Sequence, residues 1–545
     1  MYNTIIYLVG FLCLVGHSDQ RSTPTDDSYV AAVIEYQVLS DINTNLNNYI
    51  RLIKEAADQD ADIVVFPEMT LGSRRVPVPI HDALKDHPIP AENPGIYDEV
   101  LVKISTAAKE NAVYVVINLQ EVMDCENVTG EYCPEKKEYL FNTNVVFDRA
   151  GAVIDRYRKI NLFGEFTRTP ALTPDLGVFT TDFGVTFGHF ICFDLMFQVP
   201  AVQIVQKNNL TDIIFTTMWF SEMPYLTAVE IQQAYAYAMN VNFLASGANN
   251  VRVGSAGSGI FSGKAGALVS IMPGVPTTKV MVARVPKVPG QVTGTYPGPI
   301  DDDVNHDNLV LKADPSLPSH TSRLLVPGYQ DFILSEDGVV CRFKVNLKQT
   351  ENTLYRYRAG VFSGVRTFDN VASGGARLCS IYACTGAEVD TCGKRFEQYQ
   401  PKSVATFDEL SIYATLQTPQ TVESLQAHDI VYYPVSLKPS ILPLNSNDFA
   451  LEIQTMLGTV DLYNYTLLNN NVGLYSFGIY GRVFADDGKE PTPPIIEEER
   501  EETTPALVTT EPTPEPVPDS SVTICLSLIL AVLSLTLVLM EITPC

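Results

Sequence analysis

Positive charge is what this chain has least of. Against 63 Asp and Glu it carries 37 Lys and Arg, a formal net charge of −26. Nucleic-acid binding needs a basic surface, so this balance argues against nucleic acid as a partner. Histidine is also scarce, seven in 545 residues, and apart from His189 they sit outside motifs or in likely loops. No His/Cys/Asp cluster has zinc-like spacing, so neither a metal nor a cofactor is expected. The glycine-rich run Gly254 to Lys264 ends in Gly-Lys, but Ala265 stands where a phosphate loop has Ser or Thr. Its first glycine is also wrongly spaced, so the run reads as a loop between strands. No internal repeat stands out.

What is present is the composition of a globular protein, 46% hydrophobic and 18% charged, long enough for about two to four domains. Both ends are apolar. Ile5 to Val15, followed by Gly16-His-Ser18, reads as a signal peptide over residues 1–18, although no Lys or Arg precedes it. Val522 to Met540 is uncharged and long enough to span a bilayer. No basic residue follows it, as a stop-transfer helix would require, and Ser520-Ser521 supply small residues before it. A glycosylphosphatidylinositol signal attaching at Ser520 is therefore expected, with a transmembrane helix as the alternative. Residues 486–521 hold eleven acidic and two basic residues among many Pro and Thr, which reads as an extended stalk.

Cysteine usage fits an oxidising compartment. Apart from the two ends there are seven: Cys125, Cys133, Cys192, Cys341, Cys379, Cys384 and Cys392. Seven leaves one unpaired. Cys192 lies in an apolar run, whereas the others sit in polar, turn-rich surroundings suited to bridges. Cys125 and Cys133 flank a short polar loop and are expected to pair; the last four should form two bridges of open connectivity. Three sequons, at Asn127, Asn209 and Asn464, are compatible with secretion.

Along the chain, apolar runs at Tyr29–Tyr36, Asp62–Pro67 and Val113–Leu119 alternate with helical spacing at Leu46, Ile50, Ile53, Ala57 and at Tyr97, Leu101, Ile104, Ala108. This predicts an α/β layered unit over residues 28–286. A Pro/Gly-rich linker is expected over 287–324. Alternating patterns then predict a smaller, mainly β domain over 325–485.

Three strand-like runs end in residues with chemistry: Glu68, Lys159 and Cys192. In open α/β sheets, ligand sites gather beyond the carboxyl ends of strands. Each residue taken alone has an ordinary explanation, a capping carboxylate, a solvated lysine or a small buried hydrophobe. His189 is the obvious base for Cys192, but a separation of three along a strand puts the side chains on opposite faces. Carboxylate chemistry fits better.

The segments FPEMT around Glu68, RYRKINLFGE from Arg156 to Glu165 and GHFICFDLMF around Cys192 resemble the three signatures of the nitrilase, or carbon–nitrogen hydrolase, superfamily. CENVTGEYC, TTMWF at Trp219, AYAMNVNFLASGANN and GSAGSGIF look like the vanin/biotinidase family within it. The resemblance covers nearly the whole mature chain. It implies a nitrilase-like α-β-β-α sandwich with Glu68 as proton acceptor, Lys159 as the cation at the oxyanion and Cys192 as nucleophile. Glu165 would support Lys159, and the backbone N–H of Phe193 would join the oxyanion site. Asp194 and Trp219 match family positions and are expected to be pocket or scaffold residues. The implied activity is hydrolysis of a small-molecule amide, pantetheine first because the anchor-like tail resembles vanins, or a biotinyl amide. A non-catalytic surface glycoprotein that keeps the fold is the rival reading. The oligomeric state stays open.

Overall fold

The strand Ser28–Gln37 is apolar on both faces because it lies inside a four-layered unit. Tyr29, Ala31 and Val33 pack between two sheets against Phe187, Ile214 and Leu244. Val30, Ala32 and Ile34 face the other way, onto Leu46, Ile53, Leu101 and Ile104 of the helices Ile42–Ala57 and Glu99–Asn111. Asp41 and Asp98 cap those helices by accepting from Thr44 N and Val100 N. In the computed structural model the described residues are 21–495, apart from 80–85, 127–131, 174, 293–299, 302–308, 397–402 and 457. The expected leader, the Asn127 sequon, Ser520 and the apolar tail lie outside them. Among the described residues no helix is long and apolar enough to cross a membrane.

The first sheet runs from Lys279–Pro286 through Ser28–Gln37, Ile63–Val65, Tyr114–Asp124 and Glu138–Phe147 to Val153–Arg158. In the second, Thr186–Ile191, Asp212–Thr217 and Asn242–Asn249 are parallel neighbours, flanked by antiparallel Ser258–Ser262 and Gly266–Ile271. The sheets meet at one corner, where Tyr36 pairs with Ala248. On the outer face of the second sheet, the helix Ala228–Met239 covers Phe190, Phe215 and Phe243. This is the nitrilase-like α-β-β-α sandwich, and its parallel strands deliver their carboxyl ends to one edge.

Two local expectations change. The polar stretch Met123–Tyr139, which carries the loop flanked by Cys125 and Cys133, begins and ends in paired strand, in register as far as Asp124 opposite Glu138 and bridged beyond that by Cys125–Cys133. The stretch Gly254–Gly266 is not all loop, because Ser258–Ser262 is a buried strand. Its small residues permit close packing: a Cβ on Gly257, where φ is +115°, would meet Met272 Sδ at 2.6 Å.

The second domain is a sandwich of two five-stranded antiparallel sheets. The inner sheet contains Arg356–Phe368, Ala372–Cys384, Ser476–Val483 and Ile430–Leu437, and it packs on the hydrolase unit. Gln233 Nε2 donates to Leu444 O at 2.7 Å, and Ser476 Oγ to Pro224 O at 2.7 Å, across that junction. The far end of the stretch read as a linker is tied into this junction. Lys312–Ala313 pairs with Glu222–Met223, and Thr321–Leu324 pairs with Arg358–Val361.

The six other described cysteines are bonded as Cys125–Cys133, Cys341–Cys379 and Cys384–Cys392, and Cys192 alone is free. Cys341–Cys379 joins the two sheets of the sandwich and closes a loop with a sequence separation of 38. Replacing both cysteines by alanine should lower stability by about 2–4 kcal/mol, read from urea unfolding, whereas an unchanged unfolding midpoint would mean that this bridge constrains nothing.

Candidate active site

Glu68 lies just past Ile63–Val65, Lys159 follows Val153–Arg158, and Cys192 follows Thr186–Ile191. The structure brings the first two into direct contact, with Lys159 Nζ donating to Glu68 Oε1 at 2.8 Å. Lys159 also donates to Glu165 Oε2 at 2.7 Å. Its side chain is 1% exposed, so the ammonium has lost its water. Burial works against the charge, but Glu68 and Glu165 more than offset it, and the lysine pKa ends above its ordinary value. Glu165 moves oppositely: despite burial, Lys159 and the hydrogen bond from Asn142 hold its carboxyl below the usual range.

Cys192 opens a short 3-10 turn, Cys192–Met196, with φ of +49°. That left-handed conformation is uncommon for a residue other than glycine and marks a sharp elbow between strand and turn. Asp194 holds the elbow. Its Oδ2 accepts from Tyr157 OH at 2.7 Å and Ile191 N at 3.2 Å, and its Oδ1 accepts from Asn161 N at 2.8 Å. The expected scaffold residue thus ties the cysteine turn to the segment carrying Lys159. Phe193 contributes a first-turn N–H, a position with no intrahelical acceptor. Burial raises the thiol pKa, the Glu68 carboxylate raises it further, and Lys159 and the Thr217 hydroxyl only partly oppose them. The resting site is therefore a neutral thiol beside an ion pair.

Asn142 was not among the expected residues. Its Nδ2 donates to Glu68 Oε1 at 2.7 Å and to Glu165 Oε1 at 2.6 Å, while its backbone carbonyl accepts from Lys159 N at 2.9 Å. Behind it, Asn118 Nδ2 donates to Asn142 Oδ1 at 2.8 Å. Met218, just after Asp212–Thr217, donates its N–H to Glu68 Oε2 at 2.8 Å and accepts from Cys192 Sγ at 3.6 Å. The sequence signal for Asn142 and Asn118 was amides inside apolar strands, side chains that must be paired when buried. His189 is directed elsewhere, its Nε2 lying 2.8 Å from Asp155 Oδ2.

Above Cys192 is an aromatic cleft lined by Phe163, Phe193, Trp219, Phe220 and Phe368, together with Glu222. Trp219 is fixed by donating Nε1–H to Leu226 O at 2.8 Å. Phe368 comes from the β domain and meets Phe193 edge-on at 5.5 Å. Among the described residues, no group of three or more His, Cys, Asp or Glu could hold a metal. Of the other sequons, Asn209 is exposed at a left-handed helix end and Asn464 is half-buried in the strand Val460–Leu467.

Residues 30–273 match the sequence model of the family described as carbon-nitrogen hydrolase, and residues 309–487 match that of the vanin C-terminal domain. The fold and these matches define a carbon–nitrogen hydrolase acting on amides. Vanin-like protein 1 of Drosophila melanogaster is 34% identical over 532 residues, covering 89% of this chain and 90% of that protein. Human biotinidase and human pantetheinase are each 28% identical, over 448 and 421 residues. Those alignments cover 72% of this chain, with 81% of biotinidase and 80% of pantetheinase. The chain belongs to the vanin/biotinidase family of the nitrilase superfamily.

Two outcomes are expected from this geometry. Because the thiol is held neutral, alkylation of Cys192 by iodoacetamide should climb steadily from about pH 6 to about pH 9; a plateau near neutrality would reveal a resting thiolate. Replacing Asn142 by leucine frees both carboxylates and should lower kcat by about tenfold to a hundredfold with KM little changed. An unchanged kcat in that variant would show that Asn142 positions nothing.

Proposed function

We propose that the protein cleaves pantetheine to pantothenate and cysteamine through a thioester on Cys192. The convergence of Glu68, Lys159 and Cys192 carries this reading. Glu68 takes the thiol proton as sulfur attacks the amide carbonyl, so the thiolate forms only with a substrate in place. Lys159 has three N–H donors and uses two on Glu68 and Glu165, which leaves one for the developing oxyanion. The Phe193 N–H is the second donor, and each such donor contributes about 3 kcal/mol in comparable sites. Glu68 then returns its proton to the leaving amine as the tetrahedral species collapses. Water activated by Glu68 hydrolyses the thioester, and the acid leaves. The similarity to pantetheinases supports the substrate, and the similarity to biotinidase makes a biotinyl amide the alternative.

The test is to assay pantetheine and a biotinyl amide side by side with wild type and with Cys192→Ser. Release of cysteamine by wild type alone is the expected result. Faster cleavage of the biotinyl amide would overturn the substrate, and activity near wild-type level in the serine variant would overturn the mechanism.

For location, we propose an enzyme at the outer cell surface, held by a glycosylphosphatidylinositol anchor. The uncharged run Val522–Met540, preceded by the small residues Ser520-Ser521, supports this. Phosphatidylinositol-specific phospholipase C should release it from intact cells; protein retained on the membrane with its Cys545 peptide would instead be a transmembrane form.

A further inference from the structure

The catalytic steps above use nothing from the β domain, yet that domain builds part of the cleft. Among the cleft-lining residues Glu222 is the one charged side chain. It stands on the two-residue strand Glu222–Met223, paired with Lys312–Ala313, and its side chain is 11% exposed. Its Oε1 accepts from Nη2 of Arg366, a fully buried arginine of the β domain. The rest of that guanidinium is committed: Nη1 donates to Asp314 Oδ2 at 2.8 Å, and Nε donates to Thr367 O at 3.2 Å. Asp314 is itself satisfied at Oδ1 by Ser316 N at 2.8 Å and Ser316 Oγ at 2.7 Å.

Two carboxylates therefore share one guanidinium, and with both ionised the group carries one net negative charge. Among the described residues no hydrogen bond reaches Glu222 Oε2. A largely buried carboxylate oxygen is costly unless something donates to it. Burial lifts the Glu222 carboxyl to about 7, with Arg366 opposing and Asp314 adding to the rise.

We propose that Glu222 is a specificity-determining residue whose Oε2 accepts a hydrogen bond from a hydroxyl or amide N–H on the acyl chain, with Arg366 fixing its orientation from the β domain. The proposal rests on the hydrolase reading above and deepens it. It selects uncharged acyl groups that carry donors and disfavours those ending in a carboxylate, which would meet Glu222 as a like charge. The acyl group of pantetheine, with hydroxyls and an internal amide, is of the favoured kind.

The experiment uses the full chain at about pH 8, where the carboxylate is mostly ionised. In Glu222→Gln, Arg366 should draw the amide oxygen to itself and leave the NH2 facing the cleft, turning an acceptor into a donor. Pantetheine is compared with an N-alkanoyl cysteamine of equal length that lacks hydroxyls and the internal amide. The ratio of their kcat/KM values should fall by about tenfold to a hundredfold in Glu222→Gln, and also in Glu222→Asp, which keeps the charge but shortens the reach. A ratio unchanged within about threefold overturns the proposal, whether both rates drop together, as a purely structural role requires, or neither does.

Binding gives a readout independent of turnover. Pantothenate should bind Cys192→Ala more tightly than the Cys192→Ala/Glu222→Gln double variant by the same factor, measured calorimetrically, and equal affinities overturn the proposal. If wild type cleaves biotinyl amides instead, their ureido N–H groups take the place of the hydroxyls in both measurements. The substrate assignment and the role of Glu222 thus fail separately.

Discussion

The site depends on one buried cation. An ammonium without water is tolerable only when its charge is matched, and truncating one partner of such a pair typically costs about 3–5 kcal/mol. Lys159 is matched twice, by Glu68 and by Glu165. That arrangement decides the protonation of everything nearby. With Lys159 fully charged and two carboxylates around it, ionising the thiol as well would place three negative groups around one positive one. The proton therefore stays on sulfur at rest. The same ion pair fixes Glu68, which takes Lys159 and Asn142 on Oε1 and the Met218 N–H on Oε2.

Satisfying these charges requires contributions from both sheets. Asn118 and Asn142 come from adjacent strands of the first sheet, and Met218 comes from the end of a strand in the second. The layer between the sheets is apolar where Tyr29, Val33, Phe187 and Leu244 meet, and becomes polar toward the catalytic edge through Asn118, Asn142, Asn144 and Thr216. Such a chain of amides is stable in a core only when its members are paired. Here each donates to or accepts from the next, and the chain ends on the carboxylate that has to be held.

Much of this was legible in the sequence, for a physical reason. Strands buried on both faces must be continuously apolar, so their ends are sharp and a Glu, Lys or Cys just past them stands out. Glu68 and Cys192 were readable in that way, and the odd cysteine count singled out the same thiol; Lys159 follows the largely polar strand Val153–Arg158 and was readable through the RYRKINLFGE segment instead. Asn142 was readable only as an amide inside an apolar strand that must find a partner, and its value appears only when two carboxylates come within reach. Ser258–Ser262 was hidden for the opposite reason, since residues chosen for close approach have the composition of a loop. The part played by the β domain was invisible as well. Arg366 and Arg482 look like ordinary alternating charges in strands, yet both are fully buried.

Those two arginines show why the second domain belongs to the site. Arg482 Nε donates to Met196 O at 3.0 Å, the last residue of the elbow that begins at Cys192. Its Nη2 is held by Asp487 Oδ1 at 2.6 Å. Arg366 and Arg482 both lie over the ring of Phe368, at 4.6 and 5.4 Å, and that ring leans on Phe193, the residue after Cys192. A desolvated guanidinium over an aromatic face contributes about 2 kcal/mol when well placed. The cations that fasten the sandwich to the hydrolase unit therefore also hold the cysteine turn and the cleft wall. Separating the domains would take Glu222 from Arg366 and the Met196 carbonyl from Arg482, releasing the elbow in the same step, so the geometry around Cys192 is a property of the joined pair rather than of the hydrolase unit alone.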